Sequence, residues 1–326
     1  MSLNHWMQCF AFDVIGEITR FGFLDRGEDI KGIMQSLETT ALQSTVCGIY
    51  LWLAPIIFGL IPSGLSAVVG FITTEVQGRL KSLEDSEKGD RDAKDFLTKL
   101  ALLHRRDQEA YTYWHVFAGC AQNVAAGSET TSITLNSIFY YLMKDPQRVH
   151  KLQTEIDEAV QSGQASDPIT FAQAQKLPYL QAVIKEGLRM HPATGPPIWR
   201  TVPEGGATIA GVEFRAGANV GINSWVAHHN KDVFGEDAAL FRPERWLSST
   251  SSPEQLAAME KYYMPFGLGS RTCIGKNISL LEISKLVPHL IRHYEFRLLT
   301  PTWTSFNNWF CKQFNIEVTV SRRQLS

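Results

Sequence analysis

The feature that most constrains this chain is a run of 34 residues, Ala110 to Met143, with no proline and a single formal charge, Glu129. Drawn out as one helix, it would reach about 50 Å. A helix this long and this apolar needs either a bilayer or a large core to cover it. Its small and polar residues decide between the two. Gln122, Asn123, Gly127, Ser128, Thr130, Thr131 and Ser132 sit together near mid-length. A spanning helix does not concentrate polar groups at mid-depth without a functional reason. The run therefore predicts a core helix passing through a large, mainly helical domain.

The flanking sequence extends that reading. Asp145-Pro146 opens the next helix, with Asp145 as its cap and Pro146 in the first turn. Val149, Leu152, Ile156 and Val160 then recur close to a 3.6-residue period. Further helices are expected from Pro178 to about His191-Pro192 and from Asn277 to His293. Strands are expected at Thr208–Phe214, Val220–Trp225 and Asn315–Ser321, with glycine-rich turns between the first two. The Ser/Thr run from Ser248 to Ser252 reads as a surface loop. The dense charges between Leu80 and Gln108 read as a solvated loop leading into a helix.

Composition removes several function classes. Apolar residues make up 44% and charged residues 20% of the 326, which excludes wholesale disorder. Lys plus Arg total 31 against 33 Asp plus Glu, so no basic excess points to nucleic acid. The five cysteines (Cys9, Cys47, Cys120, Cys273, Cys311) are odd in number and form no CxxC pair. That excludes a disulfide scaffold and an all-cysteine zinc site, and fits a reducing compartment. Met1 to Phe12 holds no basic segment followed by an apolar run, so no secretory leader is expected there. Thr39 to Thr74 is free of Asp, Glu, Lys and Arg. Its most apolar part, Val46 to Pro62, is close to the shortest spanning length and is interrupted by Gly48, Pro55, Gly59 and Pro62. A spanning helix, an interfacial element and an ordinary buried segment are all open readings for it.

The strongest chemical signal is Phe266-Gly-Leu-Gly269-Ser-Arg271-Thr-Cys273-Ile-Gly275. From this chain's composition, the pattern F-x-x-G-x-x-x-C-x-G arises by chance in roughly one or two per thousand such chains. Glycines let backbone approach a flat ligand closely. A cysteine just before a helix start gains from backbone N–H groups and from the helix dipole, both of which favour negative sulfur. The plain alternative is a buried, inert cysteine.

This loop resembles the haem-ligand loop of the cytochrome P450 monooxygenases, and the family's other motifs follow in order. Glu186-Gly-Leu-Arg189 resembles its ExxR, a pair that shares a helix face and would otherwise read as a surface ion pair. Arg245, in Pro243-Glu244-Arg245-Trp246, resembles the third member of the family's structural triad. Ala126-Gly127-Ser128-Glu129-Thr130-Thr131 resembles its oxygen-activation motif. There Thr130 can bond the carbonyl of Ala126 and bend the helix, and Glu129 and Thr130 are implied to deliver protons. A hydrogen-bonded core carboxylate is the alternative for Glu129. Arg200 and Arg271 match the positions that bind haem propionates. Asn223 to His229 also matches the family, and the adjacent His228 and His229 read as non-ligands.

The resemblance covers almost the whole chain and is closest to fungal microsomal members. It implies the cytochrome P450 fold, mainly α with small β-sheets (α+β), as one partial domain over residues 1–326. Phe10 to Phe23 resembles the family's mid-chain helix, so the chain is read as N-terminally truncated. The implied function is monooxygenation of an apolar organic substrate with O2. Cys273 would be the axial ligand of the iron of haem b, with Arg271, Arg200, Phe266, Gly269 and Gly275 completing the cofactor site. Electrons would come from NADPH through NADPH-cytochrome P450 reductase, with Lys276 and Lys285 as candidate contacts. Membrane contact and the cytosolic face of the endoplasmic reticulum are implied as well. Pocket residues are expected at Ala125, Ala126, Pro197, Ile198 and Phe306 to Phe310. Two other readings stay open: a non-catalytic remnant of the same fold, and a haem-free enzyme using Cys273 as nucleophile. The last lacks a nearby general base, His289 being the nearest histidine in sequence.

Overall fold

The structure, a computed structural model, describes residues 1–17, 22–60, 65–84 and 95–325. The helices are α1 (Leu3–Glu17), α2 (Phe23–Arg26), α3 (Ile33–Ile49), α4 (Ala54–Leu60), α5 (Leu65–Glu84), α6 (Phe96–Arg106) and α7 (Tyr113–Met143). They continue with α8 (Pro146–Gln161), α9 (Phe171–Ala174), α10 (Pro178–Met190), α11 (Ser224–His228), α12 (Lys231–Phe234), α13 (Pro253–Tyr262) and α14 (Lys276–His293). The strands are β1 (Ile198–Thr201), β2 (Ala207–Ile209), β3 (Val212–Phe214), β4 (Asn219–Ile222), β5 (Tyr294–Leu298), β6 (Thr304–Asn308), β7 (Phe310–Phe314) and β8 (Val318–Arg322). The fold is thus mainly helical with small two-stranded sheets, paired β1–β4, β2–β3, β5–β8 and β6–β7. The chain divides into two compact units: residues 1–136 with 299–318, and residues 137–298 with 319–326.

In the first unit, α1, α3, α5, α6 and α7 enclose a core that includes Phe12, Phe23, Ile33, Phe71, Ile72, Val76 and Val124. Phe12 and Phe23 stack with centroids 4.7 Å apart. The β6–β7 hairpin pairs Phe306 with Lys312 and Asn308 with Phe310. The amino-terminal residues join the same unit, since the Leu3 N–H donates to the Ile316 carbonyl at 2.8 Å.

The charge-free stretch resolves into α3, α4 and α5 rather than one long helix. Among the described residues no helix is long and apolar enough to cross a membrane. Part of the stretch is core, including Cys47, Val68, Phe71 and Ile72. Its middle is exposed: Leu51 is 77%, Trp52 70%, Phe58 53% and Leu60 78% accessible. Ile61 and Pro62 lie outside the described residues, as do residues 18–21 of the expected mid-chain helix and most of the charged segment before α6. Helix α6 itself starts where the Asp95 carboxylate accepts the Thr98 N–H at 2.6 Å.

In the second unit, Asp145 caps α8 by accepting the N–H groups of Gln147 and Arg148, with Pro146 first in the helix. Helix α10 is buried along most of its length. Three sequence expectations need correction. Thr208–Phe214 is a hairpin of β2 and β3, because Ala210 and Gly211 take positive φ of 50° and 80° and reverse the chain. The strand expected over Val220–Trp225 ends at Ile222, because the Asn223 side chain caps α11. The last strand begins at Val318 instead of Asn315, whose φ is 61°.

Candidate functional site

The densest polar construction lies in the second unit and surrounds Glu186. On α10, Glu186 and Arg189 stand one turn apart, and the guanidinium donates to both carboxylate oxygens at 2.8 Å. The Arg245 Nε donates to Glu186 Oε1 at 3.0 Å. The Trp246 indole N–H (2.9 Å) and the Arg242 backbone N–H (2.8 Å) complete the shell. The remaining guanidinium N–H groups donate to carbonyls, Arg189 to His228, Ala238 and Leu240, Arg245 to Phe234, Asp237 and Leu240, and Arg245 also pairs with the Asp237 carboxylate at 3.1 Å. The side chains of Glu186 and Arg189 are 0% exposed and that of Arg245 is 1% exposed. Buried charges survive only when paired and fully hydrogen-bonded, and these are.

His228 ties this knot to the cysteine loop. Its Nε2 accepts the Met264 N–H at 2.9 Å, so its Nδ1 carries the proton and donates to the Arg189 carbonyl at 3.2 Å. Burial, with Arg189 and His229 nearby, lowers its pKa from 6.5 to about 4. Between pH 6.5 and 4 the unfolded chain therefore binds the extra proton and the folded one does not. Stability is retained above pH 6.5 and falls with pH across that window, by up to about 3 kcal/mol. Urea unfolding at pH 7 and pH 4.5 checks this. His228→Gln should show a shallower pH dependence, and an unchanged slope would rule out His228 as its source.

Met264 leads into the loop of Cys273. Gly267 and Gly269 take φ of 68° and 73°, which side chains rarely adopt, and so fold the loop tightly. The Cys273 N–H donates back to the Phe266 carbonyl at 2.8 Å, closing it. Helix α14 starts three residues after the sulfur, with Gly275 as its cap. Phe266 is half-buried, and the Lys276 ammonium lies 5.8 Å from its ring centre. Of the five cysteines, four are buried and Cys273 is exposed. Burial pushes the Cys9 and Cys120 thiols up to about 11 and about 12, so both stay protonated and inert. Arg200 on β1 and Arg271 in the loop are exposed; Arg200 donates to the Trp199 carbonyl, and neither arginine has a carboxylate partner among the described residues. Ile198 Cδ1 reaches to 3.6 Å of the point where a Gly267 side chain would begin.

The first unit holds the other residues singled out in the sequence. The Thr130 hydroxyl donates to the Ala126 carbonyl at 2.9 Å, and α7 stays helical through that turn. Glu129 is buried, accepts from the Gln8 amide and lies 3.4 Å from the Lys312 ammonium. Lys312 also pairs with Glu38. Burial raises the Glu129 pKa, Glu38 raises it further, and Lys312 and Gln8 oppose the shift. A buried carboxylate perturbed in this way is a candidate functional group. Beside it lies a cavity of about 480 Å³, lined by Leu37, Ala41, Ala125, Ala126, Phe306, Trp309, Phe310 and Phe314 among others. The expected pocket residues Ala125, Ala126, Phe306 and Phe310 line it, and Pro197 and Ile198 do not.

Sequence reasoning missed Gln8, Glu38 and Lys312 around Glu129, and Trp246 and the Arg242 backbone around Glu186. Lys312 had a visible signal: it is the lone charge in the strand Phe310-Cys-Lys-Gln-Phe314. The others reach their partners from distant chain segments with no local signature.

The family model described as cytochrome P450 matches residues 1–318. A cytochrome P450 monooxygenase of Aspergillus terreus is 38% identical over 306 residues, which is 90% of this chain and 62% of that protein. Pisatin demethylase of Fusarium vanettenii is 37% identical over 327 residues, 96% of this chain and 62% of its own length. The monooxygenase ACRTS1 of Alternaria alternata is 36% identical over 333 residues, 98% of this chain and 88% of that protein. The chain thus spans about 62% of the length of the first two relatives.

Proposed function

The chain belongs to the cytochrome P450 family, and on that premise we propose that it serves a haem-thiolate monooxygenase acting on an apolar organic substrate. The observation that carries the proposal is Cys273, the one exposed thiol of five, presented by a tight glycine turn at a helix start. The residues present fit haem b. The sulfur is accessible, and among the described residues Arg200 and Arg271 have no carboxylate partner to compete with propionates. Cys273 Sγ would hold the iron, and the two arginines would anchor the acid groups. When bound, the haem supplies the oxygen chemistry.

The chain's own residues supply the rest. Glu129 sets a carboxylate in a buried site that raises its pKa, and the Thr130 hydroxyl stands one position on along α7. The largely apolar lining of the cavity beside Glu129 suits a substrate of like character. Relatives named as fungal monooxygenases and as pisatin demethylase support a role in fungal secondary metabolism or aromatic oxidation. We place electron delivery from NADPH-cytochrome P450 reductase at the exposed Lys276 and Lys285 of α14. The exposed apolar segment with Leu51, Trp52, Phe58 and Leu60 supports membrane contact at the cytosolic face of the endoplasmic reticulum.

The test is the difference spectrum of the reduced chain with carbon monoxide. A thiolate-shifted Soret band is expected, and absence of any haem absorbance overturns the reading. The proton-delivery role has its own check. Thr130→Ala removes the hydroxyl and leaves the helix backbone its bonds. Product formed per NADPH should fall by about tenfold or more while NADPH consumption continues. Unchanged coupling would remove Thr130 from the relay.

A further inference from the structure

Away from the haem-binding residues, the second unit brings three metal-ligating side chains together. His289 and His293 stand one turn apart on α14, with ring centroids 4.7 Å apart. Asp167 comes from the loop between α8 and α9, and its Oδ1 lies 2.9 Å from His293 Nε2. One ligand atom from each of the three lies within 4.8 Å of the others. The His289 ring has an unusual feature: its Nδ1 is shut off from solvent and makes no hydrogen bond among the described residues. A buried polar atom without a partner calls for an explanation.

We propose that Asp167, His289 and His293 form a binding site for a divalent transition cation of the zinc class. Two imidazole nitrogens and one carboxylate oxygen suit zinc, nickel or copper, and leave a fourth position for water. With metal–ligand bonds of about 2.0–2.1 Å, tetrahedral ligands lie about 3.3 Å apart. The Asp167–His293 pair already has nearly that spacing, and a bound cation would draw the three ligand atoms, now within 4.8 Å of one another, to it. The second carboxylate oxygen stays occupied, because Arg292 Nε donates to Asp167 Oδ2 at 3.3 Å. Arg292 is itself held by Asp157 at 2.7 Å, as is Arg323. The guanidinium orients the carboxylate, and its charge moderates the affinity. A bound cation would clamp the Asp167 loop to the last turn of α14, the helix whose first turn follows Cys273.

Calorimetric titration of zinc chloride into the chelator-treated full chain tests the proposal. One equivalent should bind in the wild type and in Cys273→Ala, which separates this site from the exposed thiol. Binding in His289→Gln/His293→Gln should be weaker by about tenfold or more. Zinc should also raise the unfolding midpoint of the wild type and leave that of the double variant unmoved. A readout on the wild type alone makes the result independent of how the variants fold. Cobalt(II) at this site should absorb visible light far more strongly than the aqua ion. Absence of one-equivalent zinc binding, zinc binding unchanged in the double variant, or no enhanced cobalt absorption would each overturn the proposal.

Discussion

Cys273→Ser is expected to abolish the thiolate-shifted Soret band of the reduced, carbon-monoxide-treated protein while leaving the fold in place. The two halves of that expectation rest on different observations. The side chain is exposed, and the loop is held by backbone bonds such as Cys273 N–H to the Phe266 carbonyl. Serine keeps that backbone and nearly the same shape, so the stability change should stay within about 0.5 kcal/mol. A serine hydroxyl does not ionise at neutral pH and cannot replace a thiolate on iron. The same variant has a readout that needs no haem. In the native chain one thiol should react rapidly with a disulfide reagent, because the other four are buried. Cys273→Ser should remove that fast phase, and Cys120→Ala should leave both the phase and the band intact. A surviving shifted band in Cys273→Ser would mean that another residue holds the iron.

Where function depends on a short local pattern, the sequence shows it. Asp145-Pro146 marks a helix start because cap and first turn are adjacent. The turn around Gly267 and Gly269 is legible because positive φ selects glycine. Glu186 and Arg189 are legible as a pair because a helix brings i and i+3 together. Partners supplied by distant segments leave no such trace. Gln8 reaches Glu129 across 121 positions, Lys312 across 183, and Asp167 reaches His293 across 126. Short-range periodicity also missed the reversal at Ala210-Gly211, where a lone glycine was the turn signal and its positive-φ neighbour, an alanine, carried none. The apolar stretch from Thr39 to Thr74 kept three readings open for a related reason. Hydropathy alone does not distinguish its core residues, such as Val68 and Ile72, from exposed ones such as Trp52 and Leu60.

Glu186→Gln is expected to have the largest effect on stability. The carboxylate pairs with both the Arg189 and Arg245 guanidinium groups, which are 0% and 1% exposed, and among the described residues it is the one anion that Arg189 has. Glutamine nearly conserves volume and keeps one acceptor, but it removes the charge and places an amide N–H₂ against cationic donors. Stranding a buried charge in this way costs about 3–5 kcal/mol. That is a large part of the roughly 5–15 kcal/mol that holds a typical domain together. The second unit, which carries Cys273, should unfold at markedly lower urea and fail to retain haem. A change in the same segment gives the contrast. Arg242 contributes to Glu186 through its backbone N–H, and its half-exposed side chain pairs with Asp237. Arg242→Ala should therefore cost no more than about 1 kcal/mol. A further variant separates charge from packing. Glu186→Leu combined with Arg189→Met and Arg245→Met removes all three charges while keeping apolar bulk, and should be less destabilised than Glu186→Leu alone. If Glu186→Gln unfolds within about 1 kcal/mol of the wild type, the buried ion cluster is not what holds this unit together.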